Sequence, residues 1–165
     1  MITCQFEDGN KTTNLRHLTV NAIVTKDNKV LLGKRGTFNG KPLIESGKWT
    51  LLGGFFARDE NLKEAVAREA KEESGWKITD IELFRINDNP NRPHEDRQNV
   101  DLIFIAKAEQ KIAGNDEEVT ELQWFDLNDL PPNEQIAFDH AENLELYKKF
   151  LQEKFKLPLM GKVEI

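Results

Sequence analysis

Residues 54–76 read GFFARDENLKEAVAREAKEESGW, and their spacing predicts an acidic helix turned towards the protein rather than towards water. Glu69, Glu72 and Glu73 stand at i, i+3 and i+4, so they share one helical face. At about 100° per residue that face also carries Leu62, Ala65 and Val66, all within an arc of roughly 120°. The opposite side holds Lys63, Glu64, Ala67, Lys71 and Ser74 and reads as the solvated face. Ionised carboxylates that continue an apolar stripe need cations or protons to offset desolvation and mutual repulsion. A hard divalent ion supplies more positive charge than any side chain. The three glutamates therefore read as a metal site. An acidic helix without an ion is the bland alternative, and it leaves the inward acids unexplained.

The limits of the helix are also local. Asn61 followed by Glu64 has the form of a capping box, and Gly75 suits the left-handed position just past a helix end, which predicts a span of about Leu62 to Ser74. Upstream, Trp49, Thr50, Leu51 and Leu52 read as a short buried strand that ends at Gly53 and Gly54.

The order Gly54, five residues, Glu60, seven residues, Arg68-Glu69-Ala70, one residue, Glu72-Glu73, one residue, Gly75-Trp76 resembles the signature of the Nudix hydrolases at every prescribed position. Leu52 stands where many members carry proline, outside the signature. Residues 17–36, HLTVNAIVTKDNKVLLGKRG, look like the family's opening hairpin, and residues 119–132, VTELQWFDLNDLPP, like a late strand and turn. The resemblance implies a mixed α+β fold, an α/β/α sandwich around a mixed sheet, with the signature loop and helix at the active site. It implies a hydrolase that cleaves the pyrophosphate of a nucleoside diphosphate linked to another group. Magnesium or manganese is the implied cofactor. Carried over by position, Glu69, Glu72 and Glu73 match the metal ligands, Gly54 lies beside the ion, Arg68 orients the glutamates by salt bridge, and Glu60 is the outer glutamate. The implied nucleophile is water attacking phosphorus.

Two sources of a general base stand open. Either Glu73 takes the proton, or a carboxylate arrives from the loop GNDEEVTE, residues 114–121, through Glu118 or Glu121. Arg35 and Arg97 are candidates for phosphate contacts, with Lys34, Arg58 and Arg92 as further cations. Pro90 and Pro93 bracket the region in which the family's ADP-ribose pyrophosphatases carry a marker proline. The segment PPNEQIA, residues 131–137, resembles MutT-type enzymes of oxidised nucleotides, where an asparagine reads the base; Asn133 is its counterpart. Trp49, Phe38 and Phe138 are available to stack on a base or to fill the core. His17, His94 and His140 lack ligand spacing and read as structural or surface residues. A nucleotide-binding or regulatory module without turnover is the alternative function, and the intact acidic set favours the enzyme.

The 165 residues suit one domain, taken as 1–165. A net charge of -6 argues against broad binding to nucleic acid or anionic membranes. The partner that remains is a small nucleotide, and the resemblance adds a homodimer, common in the family. Cys4 is the only cysteine, which excludes an internal disulfide framework. With no apolar leader and no run of roughly 20 apolar residues, the cytoplasm is the expected compartment.

Elsewhere, Leu18 to Val24 alternates with Thr19, Asn21 and Ile23, and a turn at Lys26-Asp27-Asn28 leads to Val30-Leu31-Leu32 as a hairpin. GTFNGKPLIESGK reads as a loop near the site. Ile78 to Ile86, Val100 to Ala108 and Val119 to Phe125 are further strands, with the irregular NDNPNRPHEDRQN between the first two. Asp126 is placed to cap a helical turn before Pro131-Pro132, and Asp139 to Lys154 reads as an amphipathic helix packed through Leu144, Tyr147 and Leu151.

Overall fold

The computed structural model describes residues 3–13, 15–92 and 98–161. A short hairpin, β1 (Cys4–Gln5) and β2 (Lys11–Thr12), precedes the main sheet. That sheet starts with β3 (Leu18–Lys26) and β4 (Lys29–Arg35). The connecting Asp27 and Asn28 both adopt positive φ, 50° and 60°, as a tight two-residue hairpin turn demands. Next come the small hairpin β5 (Thr37–Phe38) and β6 (Lys41–Pro42), then β7 (Trp49–Thr50), β8 (Leu52–Phe55) and α1 (Leu62–Ser74). The remainder is β9 (Trp76–Asn87), β10 (Val100–Lys111), β11 (Val119–Asp126), a 3-10 turn at Asn133–Gln135, α2 (His140–Glu153) and β12 (Leu159–Met160).

The sheet order is β11-β4-β3-β10-β9-β12, with β7 added on β4 and β8 on β3. β10 runs parallel to β3 and antiparallel to β9, so the sheet is mixed. β3 is central, and both its faces are covered. Val20, Ala22 and Val24 pack with Ala65, Val66 and Ala70 of α1. Ile23 packs with Phe84, Ile103 and, from α2, Leu144, Leu146 and Tyr147. The result is the expected α/β/α sandwich.

Four local expectations change. The strand from Trp49 breaks at Leu51, where pairing passes from β4 to β3, and continues through both glycines to Phe55. Ser74 is buried, because its hydroxyl bonds back to the Ala70 carbonyl and no longer needs water. Leu151 is 42% exposed, since the packed stripe of α2 runs through Leu146 and Phe150 instead. Asp126 caps no helix; its Oδ1 accepts from Asn128 N at 2.8 Å in an Asx turn.

Candidate active site

Gly53 has φ 156°, and a Cβ there would lie 2.0 Å from the Val20 carbonyl oxygen, so only glycine lets β8 run this close to β3. Its N–H donates to Glu73 Oε2 at 2.7 Å. A Cβ on Gly54 would lie 2.8 Å from Glu69 Oε1, so the bare backbone makes room for that carboxylate. The glycine pair thus presses two acids of α1 against the sheet.

α1 is delimited as its ends predict. Asn61 Oδ1 accepts from Lys63 N and Glu64 N, Glu64 Oε2 accepts from Asn61 N, and Gly75 has φ 71°. Arg68 gathers three carboxylates from this platform. Its Nε and Nη2 bind Glu60 in a two-point fork at 2.9 and 2.7 Å, and its Nη1 meets Glu69 at 2.8 Å and Glu72 at 2.9 Å. Hydrogen bonding to Arg68 holds Glu60 below the usual carboxylate range.

The inner acids behave oppositely. Burial raises Glu69 to about 6 despite Arg68, with Glu72 and Glu118 adding repulsion. Burial also raises Glu73 well above the usual carboxylate range, opposed by the Gly53 hydrogen bond and reinforced by Glu69, Asp116 and Glu118. Glu72 is half exposed at the edge of the stripe.

The acidic loop closes over this helix end. Asp116 N donates to the Glu72 carbonyl, and both Asp116 and Glu118 are raised chiefly by burial. Glu117 instead accepts from Asn39 N at 2.8 Å and Thr37 Oγ1 at 3.2 Å, tying the loop to the β5–β6 hairpin. Glu121 pairs with Lys34, away from the acids.

A cavity of about 420 Å³ opens beside Gly53, Gly54, Arg68, Glu69 and Glu118. Its other walls are Thr19, Asn21, Arg92, Asn99, Leu43, Arg35, Phe138 and His140. Arg92 is no surface cation. It grips Asp139 through Nε and Nη2 at 2.8 to 3.1 Å and reaches Asp101 at 3.3 Å. Thr19 and Asn21 donate to Asp101, and Asn87 to Asp139. The polar residues of β3 that alternation alone would send to water are thus buried and bonded.

Of the expected contacts, Arg35 lies on the cavity with its guanidinium 5.0 Å from the Phe138 ring centre. Asn133 is exposed at the 3-10 turn and is not among the cavity-lining residues. Trp49 is core, edge-on to Phe125, and Phe38 is exposed. Arg97, His94 and Pro93 lie outside the described residues. Reading by motif missed Asp116, Asp101, Asp139 and His140. A signal for Asp101 existed, since an acid inside the apolar run VDLIFIA has no reason to be there without a partner.

The sequence profile of the NUDIX domain matches residues 15–148. The chain belongs to the Nudix family. An ADP-ribose pyrophosphatase from Methanocaldococcus jannaschii is 34% identical over 135 residues, 81% of this chain and 73% of the relative. The NAD-capped RNA hydrolase NudC of Vibrio atlanticus is 32% identical over 73% of this chain, which spans only 42% of that enzyme. Among solved structures, a Nudix hydrolase from Nitrosomonas europaea superposes with a TM-score of 0.74 at 25% identity, covering 98% of this chain and 93% of the other. An ADP-ribose pyrophosphatase from Streptococcus suis has the same fold, with a TM-score of 0.67 at 23% identity over 90% of this chain and all of that one. The protein is a Nudix pyrophosphohydrolase acting on nucleoside diphosphate derivatives. Nudix hydrolases generally need a divalent metal. No described helix is long and apolar enough to cross a membrane.

Proposed function

We propose that the protein hydrolyses ADP-ribose or a closely related nucleoside diphosphate sugar to a nucleoside monophosphate and a sugar phosphate, using magnesium or manganese. The observation that carries this reading is the pair of buried, charge-strained carboxylates, Glu69 and Glu73, pinned by Gly53 and Gly54 at the edge of a cavity large enough for a nucleoside. The choice of sugar follows the relative with the fuller mutual coverage, an ADP-ribose pyrophosphatase.

The donor set fits a hard cation: it is all oxygen, and its acids repel one another. Among the described residues no three His, Cys, Asp or Glu side chains are arranged so that together they could hold an ion. Arg68 draws Glu69 and Glu72 to itself while Gly53 holds Glu73, so ion binding requires those carboxylates to turn from Arg68. Glu69, Glu72 and Glu73 would hold the ion next to the Gly54 backbone. When bound, it neutralises the pyrophosphate and makes phosphorus easier to attack.

The chain supplies the rest. Glu118 lies on the cavity and is raised by burial, which suits it to take the proton of the attacking water; Glu73, buried and fixed by Gly53, is better placed to hold the ion. Arg35 lines the cavity and offers charge to a phosphate bound there. Glu60 keeps Arg68 in place.

A panel of nucleoside diphosphate derivatives, assayed with and without magnesium, tests the reading. Wild-type protein is expected to turn over ADP-ribose in a metal-dependent way, with label from ¹⁸O water entering one phosphoryl product. Glu72→Gln and Glu73→Gln are expected to abolish turnover while staying folded. Unchanged turnover in both variants would sink the site, and nucleotide binding without any turnover by the wild type would establish a sensor instead.

A further inference from the structure

We propose that His140 is a specificity-determining residue whose Nε2–H donates to a hydrogen-bond acceptor on the nucleobase of the substrate, a proposal that rests on the nucleotide reading above. Because pairing passes from β4 to β3 at Leu51, the Leu51 N–H has no strand partner and donates instead to His140 Nδ1 at 3.1 Å. A backbone N–H can only donate, so Nδ1 is the acceptor and the ring proton sits on Nε2. Thr50 Oγ1, 3.0 Å from the same nitrogen, is compatible as a second donor. Burial and the positive charges of Arg92 and Arg35 push the ring down to about 3, against a weaker opposing pull from Asp139. The imidazole is therefore neutral with a single tautomer.

Nε2 has no acceptor among the described residues, although the ring is only 3% exposed and borders the cavity. On a ring that borders the cavity, an N–H without a protein acceptor is left for a ligand acceptor to engage. The surroundings select the kind of acceptor. Phe138 stands edge-on to His140 with ring centres 5.6 Å apart and lines the same cavity. An aromatic ring beside a fixed, uncharged donor matches a flat heteroaromatic with an acceptor on its rim.

Kinetics and NMR test this on the full-length protein. His140→Asn keeps an acceptor for Leu51 N but loses the cavity donor. It is expected to raise KM for ADP-ribose about tenfold, as for one lost neutral hydrogen bond, and to change kcat far less. His140→Gln, whose amide nitrogen can reach the Nε2 position, is expected to recover part of that KM. Among the 1-deaza, 3-deaza and 7-deaza adenine analogues, each with one ring nitrogen replaced by C–H, one is expected to lose affinity with wild type and lose nothing further with His140→Asn. An unchanged KM, or an equal further loss for all three analogues, would overturn the proposal. Independently, ¹⁵N spectra of the free protein are expected to show an unprotonated Nδ1 and a protonated Nε2 whose proton shifts on adding AMP. A protonated Nδ1, or an Nε2 proton indifferent to AMP, overturns it whatever the turnover. Absence of turnover with the NMR result intact would count against the hydrolase reading alone.

Discussion

Glu73 meets no cation among the described residues; Gly53 N–H is its hydrogen bond, and Glu69, Asp116 and Glu118 all add negative charge around it. Its folded-state pKa lies above the unfolded value, so the folded protein binds the proton more tightly and loses stability as pH rises above the ordinary carboxylate range. Glu73→Gln removes that cost while its amide oxygen still accepts from Gly53. In chelator at neutral pH the variant is expected to melt at or above the wild-type temperature. Added magnesium is expected to raise the wild-type melting temperature and to raise the variant's much less. Turnover should fall by at least about a hundredfold. Calorimetry with and without magnesium checks the pair of signs, and a variant several degrees less stable in chelator would contradict them. These acids were legible because helical periodicity alone puts them on one side. That Glu72 sits at the rim and Glu73 at the centre was not, since it depends on where β8 runs.

α1 was read to the residue because every determinant is local: the cap, its reciprocal glutamate and the glycine stop lie within the segment itself. Asn61 Oδ1 accepts two backbone N–H groups, both at 3.1 Å, so Asn61→Ala leaves them to water. The expected cost is about 1 kcal/mol, or roughly 2–4 °C in melting temperature for a domain of this size; thermal melts check it, and a neutral substitution would show the cap to be ornamental. α2 was placed correctly but its face was misread at Leu151, because which stripe packs is decided by Phe84 and the sheet beneath it. β12, with two residues on the edge of β9, carries no period to detect. The break at Leu51 is likewise a tertiary event: the sheet hands one strand to two neighbours, and Leu51 and Leu52 accordingly enter opposite cores.

Across the molecule, Arg92 joins β10 through Asp101 to the start of α2 through Asp139, and Thr19, Asn21 and Asn87 complete the pairing. Arg92→Met would leave two buried carboxylates without their cation, at an expected cost of about 3–5 kcal/mol by denaturant titration. His140, next to Asp139, adds an acid sensitivity of definite sign. Its folded pKa is about 3 against an ordinary 6.5, so between these values the unfolded chain binds the extra proton. The stability held by neutral His140 is complete above pH 6.5 and is lost as pH falls towards 3, no faster than about 1.4 kcal/mol per pH unit. Glu69 acts in the opposite direction, because its folded pKa of about 6 lies above its ordinary value. A single stability profile therefore mixes the two, and the difference between wild type and His140→Asn isolates the histidine. That difference is expected to shrink steadily as pH falls below 6.5, since only the wild type acquires a proton at this site on unfolding. Urea titrations of both proteins at several pH values measure it, and a difference independent of pH would show that His140 is not held neutral by the fold.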